Sequence, residues 1–404
     1  MIRRPATILA LLTGLNLLNY LDRLVLSAVL PKVRDELVLS RFEGGLLATV
    51  FLLGYFVTSP IFGALGDRLP RKGLIAFGIL VWSVATLASG MANTLGQLIA
   101  ARAIVGVGEA SYATLAPTII DDITPPQKKG TALGIFYVAT PIGAALGYLV
   151  GGFVEKHWDW RHAFYVAGGP GIVLALVCLL IKEPERSMSK EKPDLRRDFR
   201  ALVAIPLYRY GVLGYCAYTA AIGAFSYWAP EFLYRRYKLD LDVANFRFGI
   251  ITIVAGAIAT WIGGRWADKM RLRVEKEAPE GQVERETTRG LLRICAVGSI
   301  AGAPFVVACF LSPQSSLFFG LTFFAILALF ISTSPINAVM LKSVPSELRA
   351  SAMALCIFAI HLLGDLWSPP VLGWLMDNMR LELAMMMLPI AIAVSAFLWW
   401  RGRG

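Results

Sequence analysis

Runs of apolar residues too long for any soluble fold dominate this chain. Gly73 to Met91, Leu291 to Leu311 and Leu317 to Ile331 each proceed with almost no charge. At a rise of 1.5 Å per residue, about 20 apolar residues cross the ~30 Å hydrocarbon layer of a bilayer. Strands that cross a membrane are shorter and alternate in character, so the runs predict helices and not a barrel. Of the 404 residues, 56% are hydrophobic and 17% charged, against about 25% charged in soluble domains. The fold class expected is an all-α membrane protein.

Twelve spans are expected, at about 5–30, 43–65, 73–91, 95–118, 130–154 and 162–182, then 207–232, 245–267, 290–311, 316–341, 349–376 and 382–400. Arg3, Arg4 and the apolar run behind them look at first like a signal peptide. No small-residue cleavage site follows, and the run continues through Asn16, Asn19 and Asp22 to Pro31, so a retained first helix is expected. The spans give two six-helix domains, 1–182 and 207–404, joined by a charged linker, 183–206. In the linker, Leu195, Phe199 and Leu202 recur at helical spacing. That segment is either a short amphipathic helix on the membrane surface or a solvated connection.

The formal net charge is +11. With both termini cytoplasmic, most Lys and Arg fall on that side, while the outer loops balance. The basic excess is therefore a topology signal, and the charge partner expected is anionic membrane lipid, with no nucleic acid. Cys178, Cys216, Cys295, Cys309 and Cys356 all lie inside apolar runs with no C-x-x-C pair, which fits packing and not disulfides or metal.

Two pairs of segments echo each other. Gly63 to Lys72 after span 2 carries glycine, then Asp67 and Arg68 four and five residues on; Gly264 to Arg271 after span 8 repeats this with Asp268 and Lys269. Pro126 to Gly130 before span 5 is echoed by Pro345 to Arg349 before span 11. Echoes at equivalent places imply duplication, and repeats in transporters place the substrate site near the midplane between them.

Six ionisable residues fall within spans: Asp22 and Arg23, Arg102 and Glu109, His361 and Asp365. A charge at the membrane centre costs about 2.5–3.5 kcal/mol on insertion scales, so these groups must pair or face water. Arg102 and Glu109 are seven apart, so they share a helix face about 10.5 Å apart and cannot easily meet. Asp22 or Arg23 is the expected opposite of each. Asn16 and Asn19 extend the polar stripe of span 1. Burial disfavours a charged carboxylate and a neighbouring arginine favours it, so a carboxylate whose arginine can be engaged elsewhere makes a proton switch. Arginine also suits a phosphate head better than lysine does. His361 and Asp365, one turn apart, form either a helix-stabilising pair or a second proton-coupling site. Half a zinc site has the same spacing, but no further ligand is near, and no metal or cofactor is expected. His157 and His162 lie near the outer surface.

Gly143, Gly147 and Gly151 step along span 5 as small-xxx-small contacts, with span 8, which carries Gly249, Gly256, Gly263 and Gly264, as the neighbour expected. Tyr215, Tyr218 and Trp228 in span 7, and Phe318, Phe323 and Phe330 followed by Ser332 and Asn337 in span 10, give the second half an apolar, aromatic lining. Charges in one half and grease in the other suit an amphiphile. Asp67 is placed to accept N–H groups of a helix start, and Arg71 to pair with Asp121 or Asp122.

These residues carry a resemblance. Gly63 to Lys72 resembles the major facilitator superfamily signature G-x-L-x-D-R-x-G-R-K, with Pro70 in place of the usual glycine. Arg102, Gly106 and Gly108 are similar to its span 4 pattern, and Pro141 with the glycines after it to its span 5 motif, though the proline is displaced. More narrowly, Asn19-Tyr20-Leu21-Asp22-Arg23, Gly106 to Ala110, Trp228-Ala229-Pro230, and Ser343 to Arg349 followed by His361 to Asp365 and Ser368-Pro369 resemble Spinster proteins.

The resemblance implies the major facilitator fold, two pseudo-symmetric six-helix bundles working by alternating access. It also implies transport of lysolipids or sphingosine-1-phosphate-like lipids, facilitated or proton-coupled. Asp22, Glu109, His361 and Asp365 become the proton-coupling candidates. Asn19, Arg23, Arg102, Tyr215, Tyr218, Ser332 and Asn337 become the substrate candidates. Gly63, Asp67, Arg68, Arg71, Lys72, Asp121, Asp122 and Asp268 form the expected conformational latch. The alternative within the fold is a multidrug or organic-anion carrier. An enzyme is not expected, since the chain has no nucleophile elbow, nucleotide loop or metal cluster. A monomer in a bacterial inner membrane is expected.

Overall fold

The computed structural model describes the chain except residues 1, 3, 126–127, 184–194, 280–281 and 403–404; the side chains of residues 195, 196, 346 and 350 are likewise outside the description. The second half of the Arg3–Arg4 pair is thus described and the first is not. Pro126 and Gln127 of the span 5 echo, and most of the charged linker, also lie outside the described residues.

Everything long is helical. The first six spans are α1 (Pro5–Leu37), α2 (Arg41–Gly66), α3 (Arg71–Gly90), α4 (Leu95–Ile123), α5 (Lys129–His157) and α6 (Trp160–Leu179). The linker contains a helix, α7 (Leu195–Ala204). Its Leu202 is buried while Phe199 is exposed. Then come α8 (Pro206–Tyr237), α9 (Leu241–Glu277) and α10 (Val283–Leu311). The tenth span is split into α11 (Ser315–Phe330) and α12 (Thr333–Lys342), and the eleventh into α13 (Arg349–Ile360) and α14 (Ser368–Asn378), before α15 (Leu381–Ala384) and α16 (Met387–Gly402).

Among the described residues, eleven helices are long and apolar enough to cross a membrane. The twelfth expected span, α8, is as long as the others at 32 residues; its tyrosines, Arg209 and Glu231 make it less apolar.

Helix starts follow local chemistry. Ser40 caps α2 in a reciprocal capping box with Glu43, satisfying two orphan N–H groups. Asp159 caps α6 through the His162 N–H at 2.9 Å. Pro31, Pro60, Pro117, Pro141, Pro170 and Pro304 all lie inside helices, where membrane spans tolerate them. That tolerance explains one difference from expectation. Span 1 does not stop near Pro31 but runs two further turns to Leu37, and span 7 runs past residue 232 to Tyr237.

By its contacts the chain divides into two units. The first is Met1–Ser189 with Tyr227–Gly249, and the second is Lys190–Ser226 with Ile250–Gly404. The last turns of α8 and the first turns of α9 thus belong to the first unit. Its core joins Leu12, Leu15, Ile79, Trp82, Val105, Tyr112 and Phe136. The Trp82 and Tyr112 rings meet edge to face at 5.7 Å, and the Tyr112 hydroxyl donates to the Leu12 carbonyl.

The glycines of α5 pack differently from expectation. A side-chain carbon at Gly147 would sit 2.6 Å from the Leu21 carbonyl oxygen, and one at Gly151 2.6 Å from the Ala28 side chain. The close neighbour of the Gly143–Gly147–Gly151 stripe is therefore α1, and not span 8. The stripe lets α5 lie against the helix that carries Asp22. Contact with α9 is made on the adjoining face, where a carbon at Gly152 would meet Asp242 Cα at 3.0 Å, one at Gly249 would lie 3.6 Å from the Ala145 carbonyl oxygen, and the Tyr148 and Phe248 rings meet at 5.3 Å.

Candidate functional site

Four of the six ionisable residues in the spans come together inside the first unit. Asp22, Arg102 and Glu109 are buried, and Arg23 nearly so, with side-chain exposures of 0%, 3%, 0% and 18%. Arg23 Nε donates to Glu109 Oε2 at 2.6 Å. Arg102 Nη1 lies 3.8 Å from Asp22 Oδ1. Each residue of α4 thus meets one of α1, and two adjacent residues of α1 divide the two oppositely charged partners between them.

The two pairs are unequal. Arg23 is wedged among rings, 4.9 Å from the Tyr20 centroid, 5.0 Å from Phe51 and 5.3 Å from Tyr55. That adds cation–π attraction to its short ion pair. Arg102 has one such contact, with Phe51 at 5.3 Å, and an ion pair too long for a good hydrogen bond. Asp22 is held from its other side by the Thr86 hydroxyl, which donates to Oδ2 at 2.5 Å.

Several buried polar atoms here have no hydrogen-bond partner among the described residues: Asn19 Nδ2, Asp22 Oδ1, Arg102 Nε and Nη1, and Glu109 Oε1. Buried polar atoms are nearly always satisfied, so a cluster of orphans in one place is a site prepared for something else. Asn16 is not part of it; its amide nitrogen donates to the Phe136 carbonyl at 3.0 Å and approaches Thr140 Oγ1 at 3.3 Å, both on α5.

The other expected pair is intact in the second unit. His361 Nδ1 is 3.0 Å from both Asp365 oxygens, with each side chain about a quarter exposed. The two residues bound a single turn of π-helix, His361–Asp365. The turn is wedged by α8: Gly364 has no room for a side-chain carbon, which would lie 2.9 Å from the Cys216 carbonyl oxygen. The Thr219 hydroxyl donates to the Ile360 carbonyl at 3.2 Å. Such π turns often occur at functional places in helices.

The aromatic and polar candidates of the second half divide. Tyr215 is partly exposed beside Tyr218, the ring centroids 6.2 Å apart. Tyr218 is buried against Trp399 and donates to the Leu329 carbonyl at 3.2 Å. Ser332 is fully buried, its hydroxyl donated to the Cys295 carbonyl at 3.3 Å. Asn337 is exposed and bonds back to Thr333 on its own helix at 2.8 Å. Packing between helices therefore occupies the polar atoms of Tyr218 and Ser332, which sequence reasoning placed on substrate.

The Gly63–Lys72 loop is also engaged within the first unit. Arg71 pairs with Asp122 at 2.7 Å, while Asp121 pairs with Lys129 at 2.6 Å. The N–H groups that open α3, those of Arg71 and Lys72, donate to Glu183 at 3.0 Å each, so Glu183 and not Asp67 caps that helix. Lys72 Nζ reciprocates by donating to the Ile181 carbonyl at 2.9 Å. Gly63 lies within ordinary contact of Thr114. Asp67, Arg68 and Asp268 are exposed.

A second charged network was missed by sequence reasoning. Glu231, fully buried on α8, accepts from Arg34 of α1 and lies 3.4 Å from Arg41 and 3.3 Å from Arg235. Arg235 also pairs with Asp35. Tyr227 donates to the Gly44 carbonyl, and Ser27 to the Tyr227 carbonyl, both at 2.6 Å. The signal was Glu231 inside an aromatic run, next to the expected end of span 7, while its partner Arg34 lay beyond the expected end of span 1.

Comparison with known proteins places the chain. The family model of the Major Facilitator Superfamily matches residues 12–364, so the protein is a transporter of that superfamily and not an enzyme. The chain is 35% identical over 373 residues to Protein spinster of Drosophila melanogaster, covering 89% of this chain and 60% of that protein. It is 30% identical over 427 residues to "Probable sphingolipid transporter spinster homolog 1" of Arabidopsis thaliana, covering 93% and 84%. The chain belongs to the Spinster family. The fold agrees: a bacterial homologue of the human lysosomal transporter Spinster, crystallised inward-facing and unoccupied, superposes with a TM-score of 0.85 at 21% identity, over 99% of this chain and 97% of that one. The match spans about three fifths of the fly protein's length.

Proposed function

We propose that this integral membrane protein is a proton-coupled transporter of an amphipathic lipid with an anionic or phosphorylated head, of the sphingoid or lysolipid kind. The observation that carries the proposal is the set of orphaned polar atoms on Asn19, Asp22, Arg102 and Glu109. The sphingolipid class comes from the name of the plant relative.

The chemistry runs through the looser pair. Arg102 has two nitrogens without partners, so it is free to take an anionic head in charge-assisted hydrogen bonds. Its field then shifts from Asp22 to the substrate. A buried carboxylate deprived of its cation takes a proton, so binding the head and binding the proton become linked events. Linkage is reciprocal: protonation changes substrate affinity by the factor by which substrate changes proton affinity. The shorter Arg23–Glu109 pair holds α1 against α4, and Glu109 is the second candidate for the proton. His361 and Asp365 are the second proton-coupling pair, with Tyr215 of α8 near the lipid's path.

Alternating access needs contacts that form on one side and release on the other. The Arg34–Glu231–Arg235–Asp35 network is the outer latch, formed in this structure. The Gly63–Lys72 loop, with Asp67 and Arg68, and Asp268 at the matching turn of α9, acts on the cytoplasmic side, where both termini lie.

The test is uptake into proteoliposomes with an imposed pH gradient. The panel is sphingosine-1-phosphate, lysophospholipids, lipophilic cations and small organic anions. Gradient-driven accumulation of the phosphorylated lipids is expected. Accumulation of drugs or organic anions alone would overturn the lipid reading, and lipid movement indifferent to the gradient would overturn the coupling.

A further inference from the structure

We infer that the ends of α9 and α10 on the side of the chain termini form a binding site for one anionic glycerophospholipid of the surrounding leaflet, separate from the transported substrate. A cavity of about 510 Å3 opens there, lined by Arg273, Arg289 and Arg293 together with Glu277 and Glu286 and backed by Trp266. Two of the arginines are matched within their own helices, Arg273 with Glu277 at 2.9 Å and Arg289 with Glu286 at 2.6 Å. Arg293 has no ion-pair partner among the described residues. Three guanidinium groups against two carboxylates leave one positive charge, the complement of a single phosphodiester.

The position of Arg293 identifies the source of that phosphate. It is exposed on α10 one turn before Val297, which is also exposed and also lines the cavity. Continuing along the same face come Ile300, Pro304 and Val307, in a groove of about 730 Å3 walled on its far side by Ile390, Phe397 and Trp400 of α16. The spacing from Arg293 through Val307 is four, three, four and three, one continuous stripe on a helix. It extends about 21 Å from Arg293, of which the apolar groove takes about 10 Å, within the ~15 Å of one hydrocarbon leaflet. A charged cavity followed along the same helix face by an apolar groove fits a head and the first part of an acyl chain of one molecule. Trp266, which lines the charged cavity, is 42% exposed, as an indole at the headgroup level should be. A soluble phosphate would use the cavity and ignore the groove.

Native mass spectrometry of the full-length protein in mild detergent tests this. Phosphatidylglycerol, phosphatidylcholine of the same chains, and soluble glycerol 3-phosphate are added separately. Arg273 and Arg293 are both exposed, so R273Q/R293Q retains the fold, and K269Q/R401Q, removing two charges on the same side, is the control. Wild type and control are expected to retain phosphatidylglycerol at least about fivefold better than phosphatidylcholine, a preference of about 1 kcal/mol, and R273Q/R293Q is expected to lose it. Equal retention of both lipids, equal loss in the control variant, or displacement of phosphatidylglycerol by glycerol 3-phosphate would each overturn the assignment.

Discussion

The two units bury different things. Among the described residues, every fully or nearly buried Asp, Glu, Lys or Arg lies in the first: Asp22, Arg34, Arg71, Arg102, Glu109 and Glu231. The second buries only uncharged polar groups, such as Thr322, Ser332, Ser368 and Ser395, beneath Trp399, Phe310 and Phe318. Its His361–Asp365 pair is a quarter exposed. Buried charge is expensive to insert and more expensive to orphan. One unit therefore carries the buried charge, and the other is built mainly on uncharged packing.

That contrast is open to attack on both sides. The largest effect on stability is expected in the first unit. Arg34→Ala leaves Glu231 buried with only the longer contacts to Arg41 and Arg235, at a cost of about 3 kcal/mol. Thermal unfolding in detergent would show it, and Glu231→Gln should restore part of the loss. A fall no larger than that of a surface arginine such as Arg273 would break the contrast. Next comes packing on the same side. Gly147→Leu forces α5 off α1 and should cost about 1–3 kcal/mol while also displacing Asp22 from Arg102. A loss of transport greater than the loss of folded protein is the expected signature.

In the second unit, His361→Gln and Asp365→Asn should slow gradient-driven transport several-fold without abolishing it, and leave thermal stability nearly unchanged. Complete loss would move the proton role to the π turn. The smallest effect is expected from Tyr218→Phe, which removes one hydrogen bond to the Leu329 carbonyl and should cost about 1 kcal/mol, with substrate affinity unaltered. A changed affinity would return Tyr218 to the substrate path.

How much of this was legible follows from what hydrocarbon does to sequence signals. Charges inside apolar runs stand out, so Asp22, Arg23, Arg102 and Glu109 were found at once. Their pairing was left open because Asp22 and Arg23 are adjacent and either can turn toward Arg102's face; only the placement of α1 between α4 and α5 decides it. Serines and tyrosines in helices apolar all round carry no such signal. Ser332 and Tyr218 were read as lining, yet their hydroxyls satisfy carbonyls on neighbouring helices. The glycine stripe of α5 announced a close neighbour without naming it. Arg34 escaped because Pro31 looks like a helix end, and in a membrane it is not; without Arg34 inside a span, Glu231 had no visible partner.

The central claim is that Asp22 exchanges its hold on Arg102 for a proton when substrate arrives. Lipid accumulation driven by a pH gradient, measured beside substrate counterflow without a gradient, tests it in Asp22→Asn, which mimics the protonated carboxyl. The account predicts that gradient-driven accumulation disappears while counterflow survives, and that Arg102→Ala loses both for an anionic lipid. Accumulation by Asp22→Asn with the full pH dependence of the wild type would contradict it.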